Sequence, residues 1–327
     1  MSLHQKSKGY RGGPASPRSS QRGCNVFQEP MASVTVGWKY GDFIRGNDCE
    51  GPFNVPCIIP GGAVGVRADV WSGAFQCDAS SSASIPGLCR RWLESNCLDL
   101  SVAGSFTTTV IQPAVQNSSV ASSEAAALLL AYSRFHRLPI DPHLLFVLMW
   151  EGFRELGFGY RPSPVHLAGQ LVLCRPDSCR LKILGQMPSL VLIELLDLEE
   201  ANSKELSTFK PRINSSKPNE HGIFQQRALS VSREMLMRVV RGELSEMLSS
   251  TVLSATHGDC VPRTKGLLCL ASKLAEEHQA GLVEPCDSEG IAIAVPVGRG
   301  LEPVIAIADA AAANGLRVRY AQTGLAG

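Results

Sequence analysis

The sequence predicts an α+β protein, and three observations lead to this fold class. Alternating or Thr/Val-rich stretches, typical of β-strands, dominate residues 33–111. Two segments with apolar residues at helical spacing follow, at 122–136 and 141–156. The last part of the chain alternates between helical and strand-like patterns. Strands and helices are thus mixed along the whole chain, which excludes an all-helical or all-β class.

The first half begins with a β-rich layer. Its predicted strands cover residues 34–37, 56–59, 63–68 and 105–111. The last of them leads through a turn at Pro113 into the helix at 122–136. The second helix begins at Asp141-Pro142, where proline suits a first helical turn. A strand, a turn rich in small residues and a helix therefore follow one another in order.

The middle of the chain contains three short apolar runs separated by turns, which predict a β-meander. The runs cover residues 171–174, 181–184 and 190–195. Helices are then predicted at 224–240, 244–253 and 264–280, followed by a strand at 290–297, a helix at 305–313 and a strand at 316–321. The change in pattern predicts a division of the chain near residue 185.

Composition limits what the protein binds and where it acts. The chain has 327 residues, with 31 basic and 30 acidic side chains, so no global field attracts nucleic acid or an acidic membrane. Eleven cysteines occur without a C-x-x-C pair, which argues against a zinc module and indicates a reduced, cytoplasmic chain. No apolar run reaches the roughly 18 residues of a membrane span. Residues 1–32, rich in Gly, Ser and Arg, are predicted to be a disordered tail.

The stretch at 113–124 carries the strongest functional signal. Free amides at a helix start, beside serine hydroxyls, form a site for phosphate, because the N–H groups and the helix dipole both favour negative charge. The alternative is a plain serine-rich helix start, in which serine only caps the helix. The residues predicted to bind the phosphates of a nucleotide are Asn117, Ser118, Ser119, Val120, Ala121, Ser122 and Ser123.

This stretch resembles the phosphate loop of the galactokinase, homoserine kinase and mevalonate kinase (GHMP) superfamily, whose pattern is P-x-G-x-G-L-G-S-S-A. Val120-Ala-Ser-Ser123 matches the tail of the pattern, whereas Asn117 and Ser119 stand where its glycines belong. The order of segments is most similar to the L-threonine kinase branch of cobalamin salvage and propanediol utilisation. Gly41-Asp-Phe-Ile-Arg-Gly46 resembles its G-E-L-I-Q-G, and Val55-Pro-Cys-Ile-Ile59 follows at a matching distance.

The resemblance implies a two-domain fold and a phosphotransfer reaction. An N-terminal nucleotide-binding domain would cover 33–185, and a C-terminal ferredoxin-like domain would cover 186–327. ATP and Mg²⁺ would be the cofactors, and the acceptor would be a hydroxyl of a small polar molecule, L-threonine or a related hydroxy-amino acid. A homodimer is compatible with this assignment.

The resemblance also implies roles for individual residues. Asp42 and Asp287 would be catalytic, and Arg45 and Ser288 would bind the acceptor. Ser122 and Glu124 would contact Mg²⁺. For Asp42 and Arg45 the alternative is a solvated turn, and for Asp287 and Glu124 it is an ordinary exposed or helix-start carboxylate.

Three chemistry-bearing stretches depart from the family pattern. Besides the lost glycines, Arg161-Pro-Ser-Pro164 stands where the branch has E-P-T-D, so proline replaces its acidic residue. Residues 281–295 replace a segment of A-H-S-G type. These departures leave a second hypothesis open, in which the fold is kept and the protein is an inactive or repurposed module that binds a metabolite or a partner protein.

Overall fold

The computed structural model describes residues 29–48, 50–62, 64–76, 84–111, 118–158, 161–175, 177–196, 262–285 and 291–323. Most of the predicted tail and the predicted helices at 224–240 and 244–253 lie outside these ranges. None of the helices within them is both long enough and apolar enough to cross a lipid bilayer.

The described residues form eleven strands and five α-helices. The strands are β1 Ala32–Val36, β2 Trp38–Asp48, β3 Gly51–Ile59, β4 Gly65–Trp71, β5 Ser105–Ile111, β6 Gln170–Arg175, β7 Arg180–Gln186, β8 Leu190–Leu196, β9 Gly281–Pro285, β10 Ile291–Pro296 and β11 Arg317–Thr323. The helices are α1 Ser84–Ser95, α2 Ser118–His136, α3 Pro142–Glu155, α4 Pro262–Glu277 and α5 Glu302–Ala313. Two 3₁₀ turns cover Val165–Leu167 and Val297–Arg299.

A three-stranded antiparallel sheet, in the order β1-β4-β5, forms the first layer. Helix α2 packs on β1 and β4, and α1 and α3 pack beside it. The Ala/Leu-rich middle of α2 explains this position, because Ala125 to Leu129 are all buried and small side chains let the helix approach the sheet closely. Their burial joins the sheet and the helices in one apolar core.

An eight-stranded antiparallel sheet, in the order β11-β8-β10-β9-β2-β3-β6-β7, forms the second layer. Strand β2 joins the two halves of the chain, because it pairs with β3 on one side and with β9 on the other. The pairs Gly41 with Pro285 and Asp42 with Glu284 make this junction. The sheet is therefore continuous across the predicted boundary near residue 185, and the division into two domains stays a prediction.

The C-terminal part has the ferredoxin-like arrangement that was expected. Among the described elements, β8, α4, β9, β10, α5 and β11 occur in the order βαββαβ, with the spatial order β11-β8-β10-β9. Helices α4 and α5 cover one face of these strands, and their contacts form a separate apolar core.

The prediction of a β-meander is wrong for its third strand. Strands β6 and β7 form a hairpin, but β8 lies near the opposite edge of the sheet, between β11 and β10. Burial explains the difference. Strand β7 is largely exposed, which suits the edge of a sheet. Strand β8 is buried on both faces, which suits an interior position with a strand paired on each side.

Several elements agree closely with their predicted bounds. Strand β5 covers the predicted 105–111, and α3 begins after Asp141, whose side chain accepts hydrogen bonds from the His143 and Leu144 amides at 2.8 and 3.1 Å. Helix α2 begins at Ser118, four residues before the predicted start. Most of β2 was missed because two register shifts interrupt its alternation. Helix α1 was also missed, although Ile85, Leu88, Cys89, Trp92 and Leu93 are buried at helical spacing.

Two helical glycines provide a matched test of the packing between α1 and α3. A Cβ at Gly152 of α3 would lie 2.5 Å from Leu88 Cδ1 of α1, whereas a Cβ at Gly87 of α1 would meet nothing within 4 Å. We expect Gly152→Ala to lower the free energy of unfolding by about 1–3 kcal/mol through overpacking. Gly87→Ala should raise it by roughly 0.5–1 kcal/mol, because alanine favours the helix. Urea denaturation measures both, and equal effects of the two substitutions would contradict the close α1–α3 contact.

Candidate active site

The first turns of α2 are anchored at the junction of the two sheets. The Ser123 hydroxyl donates a 2.6 Å hydrogen bond to the carbonyl of Gly37, the residue between β1 and β2. Gly37 has no room for a side chain, because a Cβ there would overlap the Ile59 carbonyl oxygen of β3. The close approach and the hydrogen bond together hold the start of α2 against β2.

A second contact brings the segment 161–164 to the same helix start. The backbone N–H of Ser163 donates a 3.0 Å hydrogen bond to the Ser122 hydroxyl, and Ser122 is fully buried. The segment alternates in burial: Pro162 and Pro164 are buried, whereas Arg161 is exposed. The residues that stand in place of the family's E-P-T-D therefore lie beside the predicted phosphate-binding turn.

A buried ion pair lies on β2. Asp42 is only 3 % exposed, and its carboxylate accepts from Lys39 Nζ at 2.7 Å (Oδ1) and 2.9 Å (Oδ2). Asn54 of β3 donates a further 2.6 Å hydrogen bond to Oδ1. Burial makes such a pair sensitive to the loss of either partner, since the remaining charge would be desolvated without compensation. Asp42 is thus a buried, paired carboxylate and does not lie in a solvated turn.

Sequence reasoning missed Lys39, and a β-bulge explains why. In a regular strand, residues three apart point to opposite faces. The pairing of β2 with β3 shifts register between Lys39 and Gly41, which inserts one extra residue and turns Lys39 to the face of Asp42. The only available signal was a lysine three residues before an acid, and this pattern does not show where a bulge lies.

One polar atom beside this ion pair has no partner. Asn54 Oδ1 is buried and accepts no hydrogen bond. Cys174 of β6 pairs with Asn54 in the sheet, and burial, as the largest cause, raises the pKa of its thiol to about 12. The thiol therefore stays protonated at neutral pH and is no nucleophile. Asn54 Oδ1 remains as an acceptor that a ligand hydroxyl or ammonium group could satisfy.

The two residues predicted to contact Mg²⁺ do not converge. Ser122 contacts the segment 161–164, whereas Glu124 accepts a 3.0 Å hydrogen bond from the Thr108 hydroxyl of β5. Residues two apart on a helix point in different directions. Burial raises the pKa of Glu124, although its bond to Thr108 opposes the change. Within the described ranges no three His, Cys, Asp or Glu side chains form a group that could hold a metal ion.

For the remaining predicted residues, the structure describes either the whole residue, only the backbone, or neither. Val120 and Ala121 are half-buried on α2 and pack against the core. The backbones of Ser118 and Ser119 form the first turn of α2, and the backbone of Arg45 lies in β2, but their side chains are not described. Asn117, Asp287 and Ser288 lie outside the described residues.

No protein-family profile and no curated protein sequence matches the chain. Solved structures do match over most of its length. A homoserine kinase from Cytophaga hutchinsonii has a TM-score of 0.58 at 13% identity, over 92% of this chain and 97% of that one. A galactokinase from Lactococcus lactis, complexed with galactose, has a TM-score of 0.59 at 12% identity, over 92% and 96%. The chain has the GHMP kinase fold.

A third similar structure is named for a different activity. The mevalonate pyrophosphate decarboxylase of Streptococcus pyogenes has a TM-score of 0.55 at 11% identity, over 92% of this chain and 99% of that one. At these identities the likeness establishes the fold alone. The GHMP kinase fold thus confirms the predicted architecture, while the reaction and the residue roles need arguments from the site.

The ion pair generates a prediction with a matched control. We expect Asp42→Asn to lower the free energy of unfolding by roughly 3–5 kcal/mol, because the buried Lys39 would lose the charge of its partner Asp42. Glu94→Gln breaks the exposed Arg90–Glu94 pair, whose atoms lie 2.9 Å apart, and should cost less than about 1 kcal/mol. Chemical denaturation compares the two variants. Similar losses would show that the burial of Asp42 adds nothing to the strength of its pair.

His166 follows the segment 161–164 and is a half-buried histidine whose surroundings disfavour protonation. Its Nε2 lies 2.9 Å from the Pro142 carbonyl and therefore carries the hydrogen, while Nδ1 is buried without a partner. Burial lowers its pKa from about 6.5 to about 4, with the Pro142 hydrogen bond opposing the shift and the charge of His143 adding to it.

This shift predicts a pH-dependent stability. Above pH 6.5 the histidine is neutral in both the folded and the unfolded chain, so its protonation costs no folding stability there. As pH falls from 6.5 to 4 the unfolded chain takes up the proton first, and roughly 3 kcal/mol is lost at about 1.4 kcal/mol per pH unit. His166→Asn should remove this part of the pH dependence. Urea denaturation at pH 7, 5.5 and 4 checks it, and parallel curves for wild type and variant would refute it.

Proposed function

We propose that this protein is an ATP-dependent kinase that phosphorylates a hydroxyl of a small polar molecule, with L-threonine or a related hydroxy-amino acid as the acceptor. The observation that carries the proposal is the meeting of the α2 start, β2 and the segment 161–164 through the Ser123 and Ser122 hydrogen bonds. Its support is the GHMP kinase fold, in which several solved structures are named as kinases. Phosphoryl transfer depends mainly on positioning and charge neutralisation. These elements would supply the positioning, and Mg²⁺ the charge neutralisation.

The nucleotide would bind at residues 117–123. The first amides of α2 have no partners within the helix, and the positive end of the helix dipole favours the phosphates. Mg²⁺, held by those phosphates, supplies charge neutralisation there. Ser122 contributes its hydroxyl, and Glu124 is left to its bond with Thr108. Asn117 and Ser119 restrict the backbone more than the family's glycines, so binding is expected to be weak.

The acceptor would bind next to the ion pair on β2. Asp42 stands where the family's N-terminal motif has a carboxylate. The Lys39 ammonium and the Asn54 amide orient it. In this role Asp42 orients the acceptor hydroxyl, and the unpaired Asn54 Oδ1 accepts a hydrogen bond from the acceptor. Asp287, Ser288 and Arg45 complete the proposed site as the second catalytic acid and two acceptor-binding residues.

A second candidate function is a catalytically silent or repurposed protein that binds a metabolite or a partner protein. Two observations favour it: the segment 161–164 contains no carboxylate, and Asp42 is already neutralised by Lys39. The decarboxylase among the similar structures is consistent with a change of reaction on this fold.

Isothermal titration with MgATP, followed by a threonine-dependent ADP assay, tests the proposal. We expect MgATP to bind at or below millimolar concentration and Ser122→Ala to weaken this binding at least tenfold. Ser133→Ala is the matched control, because it removes a hydroxyl at the far end of α2 that bonds only the Leu138 carbonyl among the described contacts. It should leave MgATP affinity unchanged.

The outcomes separate the two candidate functions. If wild type binds no MgATP at millimolar concentration, the kinase proposal fails. If Asn117→Gly combined with Ser119→Gly then confers nucleotide binding that wild type lacks, the silent relative is the better description.

A further inference from the structure

Two arginines converge on one tryptophan beside the candidate active site. The guanidinium carbon of Arg154 lies 5.2 Å from the centre of the Trp150 ring, and that of Arg161 lies 5.3 Å from it. Arg154 belongs to the same helix as Trp150, one turn further on, whereas Arg161 reaches the ring from the segment 161–164. These three residues are called the Arg–Trp–Arg stack below.

The charges of this stack are not balanced by carboxylates. Among the residues that the structure describes, no ion pair involves Arg154 or Arg161, and both are exposed. The nearby Glu155 pairs with Arg91, and the charge of Glu151 acts on the Cys179 thiol, whose pKa is raised chiefly by burial and also by this carboxylate. Two like charges near one ring repel each other, and a bound anion would relieve this repulsion.

The chemistry of the stack fits an oxyanion. Arginine presents a planar fork of N–H donors that matches carboxylate or phosphate oxygens in two parallel hydrogen bonds. Stacking on Trp150 limits the motion of both guanidinium groups, so less side-chain entropy is lost when an anion binds.

The position of the stack links it to the acceptor. Arg161 lies two residues before Ser163, whose N–H bonds the Ser122 hydroxyl at the phosphate-binding turn. The segment 161–164 therefore connects the predicted nucleotide site with two unpaired cations, and it holds no carboxylate that would repel an anion.

We propose that the Arg–Trp–Arg stack binds an anionic group, a carboxylate or a phosphate, of the acceptor. The assignment of this site to the acceptor rests on the proposed kinase function, but anion binding by the stack can be tested without that function. It narrows the substrate class to hydroxylated acids and phosphorylated alcohols, and it excludes neutral sugars and polyols.

Titration with three small probes at constant ionic strength tests the proposal, with Trp fluorescence and calorimetry as the readouts. The probes are glycerate, glycerol 3-phosphate and glycerol, which share hydroxyl groups and differ in their charge. We expect the two anions to bind wild type and glycerol not to bind. Arg154→Gln and Arg161→Gln should each weaken binding of the anions at least tenfold.

Two controls distinguish this effect from general loss of charge or of folding. Arg317→Gln removes an exposed arginine on β11, at the opposite edge of the sheet from β7, and should leave the affinity of both anions unchanged. Unchanged thermal midpoints in all three variants exclude unfolding as the cause.

MgATP titration of the same variants separates the two sources of phosphate. Unchanged MgATP affinity in Arg154→Gln and Arg161→Gln supports an acceptor site, whereas a loss equal to that of the anions assigns the stack to the nucleotide and overturns the proposal. If wild type binds the anions through the stack but binds no MgATP, the anion site stands and the kinase function fails. If both arginine variants behave like Arg317→Gln, or if wild type binds neither anion, the proposal is overturned.

Discussion

The architecture depends on one close approach at Gly37, where the three-stranded and the eight-stranded sheets meet. Strand β1 ends at Val36 and β2 begins at Trp38, so the chain passes from one sheet to the other through a residue that has no space for a Cβ. The buried Gly37 carbonyl accepts a hydrogen bond from the Ser123 hydroxyl and fixes the start of α2. The helix end, the ion pair on β2 and the segment 161–164 are held near one another because of this junction.

Charge is distributed in two different ways around the site. On β2 the positive and negative groups are paired and buried, which satisfies both and leaves Asn54 Oδ1 as an acceptor. On α3 and the segment 161–164 the positive groups are exposed and have no carboxylate partner among the described residues. A buried pair is pre-organised and resists change, whereas unpaired surface cations are available to a ligand. The buried pair suits the proposed orientation of a reacting group, and the exposed cations suit the proposed recognition of an anion.

Much of the fold was predictable from local patterns, and the errors have physical causes. Helix α3 could be predicted from Asp141 and its following proline, since capping is a local interaction. Strand β5 could be predicted from its Thr/Val content. The position of β8 could not, because a short apolar run does not indicate which strands pair with it. The motifs pointed to Ser122, Ser123 and Asp42, whose functional roles stay predictions. Lys39 was missed because of a bulge, and Thr108, the partner of Glu124, because it lies on a strand distant in the chain.

The sequence by itself determined the α+β class, strand β5 and the helices α2 and α3, since all of these arise from interactions among near neighbours in the chain. Only the tertiary structure decided that β2 joins both halves in one sheet, that Lys39 neutralises Asp42, and that Arg154 and Arg161 share the ring of Trp150. Each of these depends on strand register or on packing between segments that are distant in the chain. Such contacts are selected by the burial of whole elements, and local sequence carries little information about them.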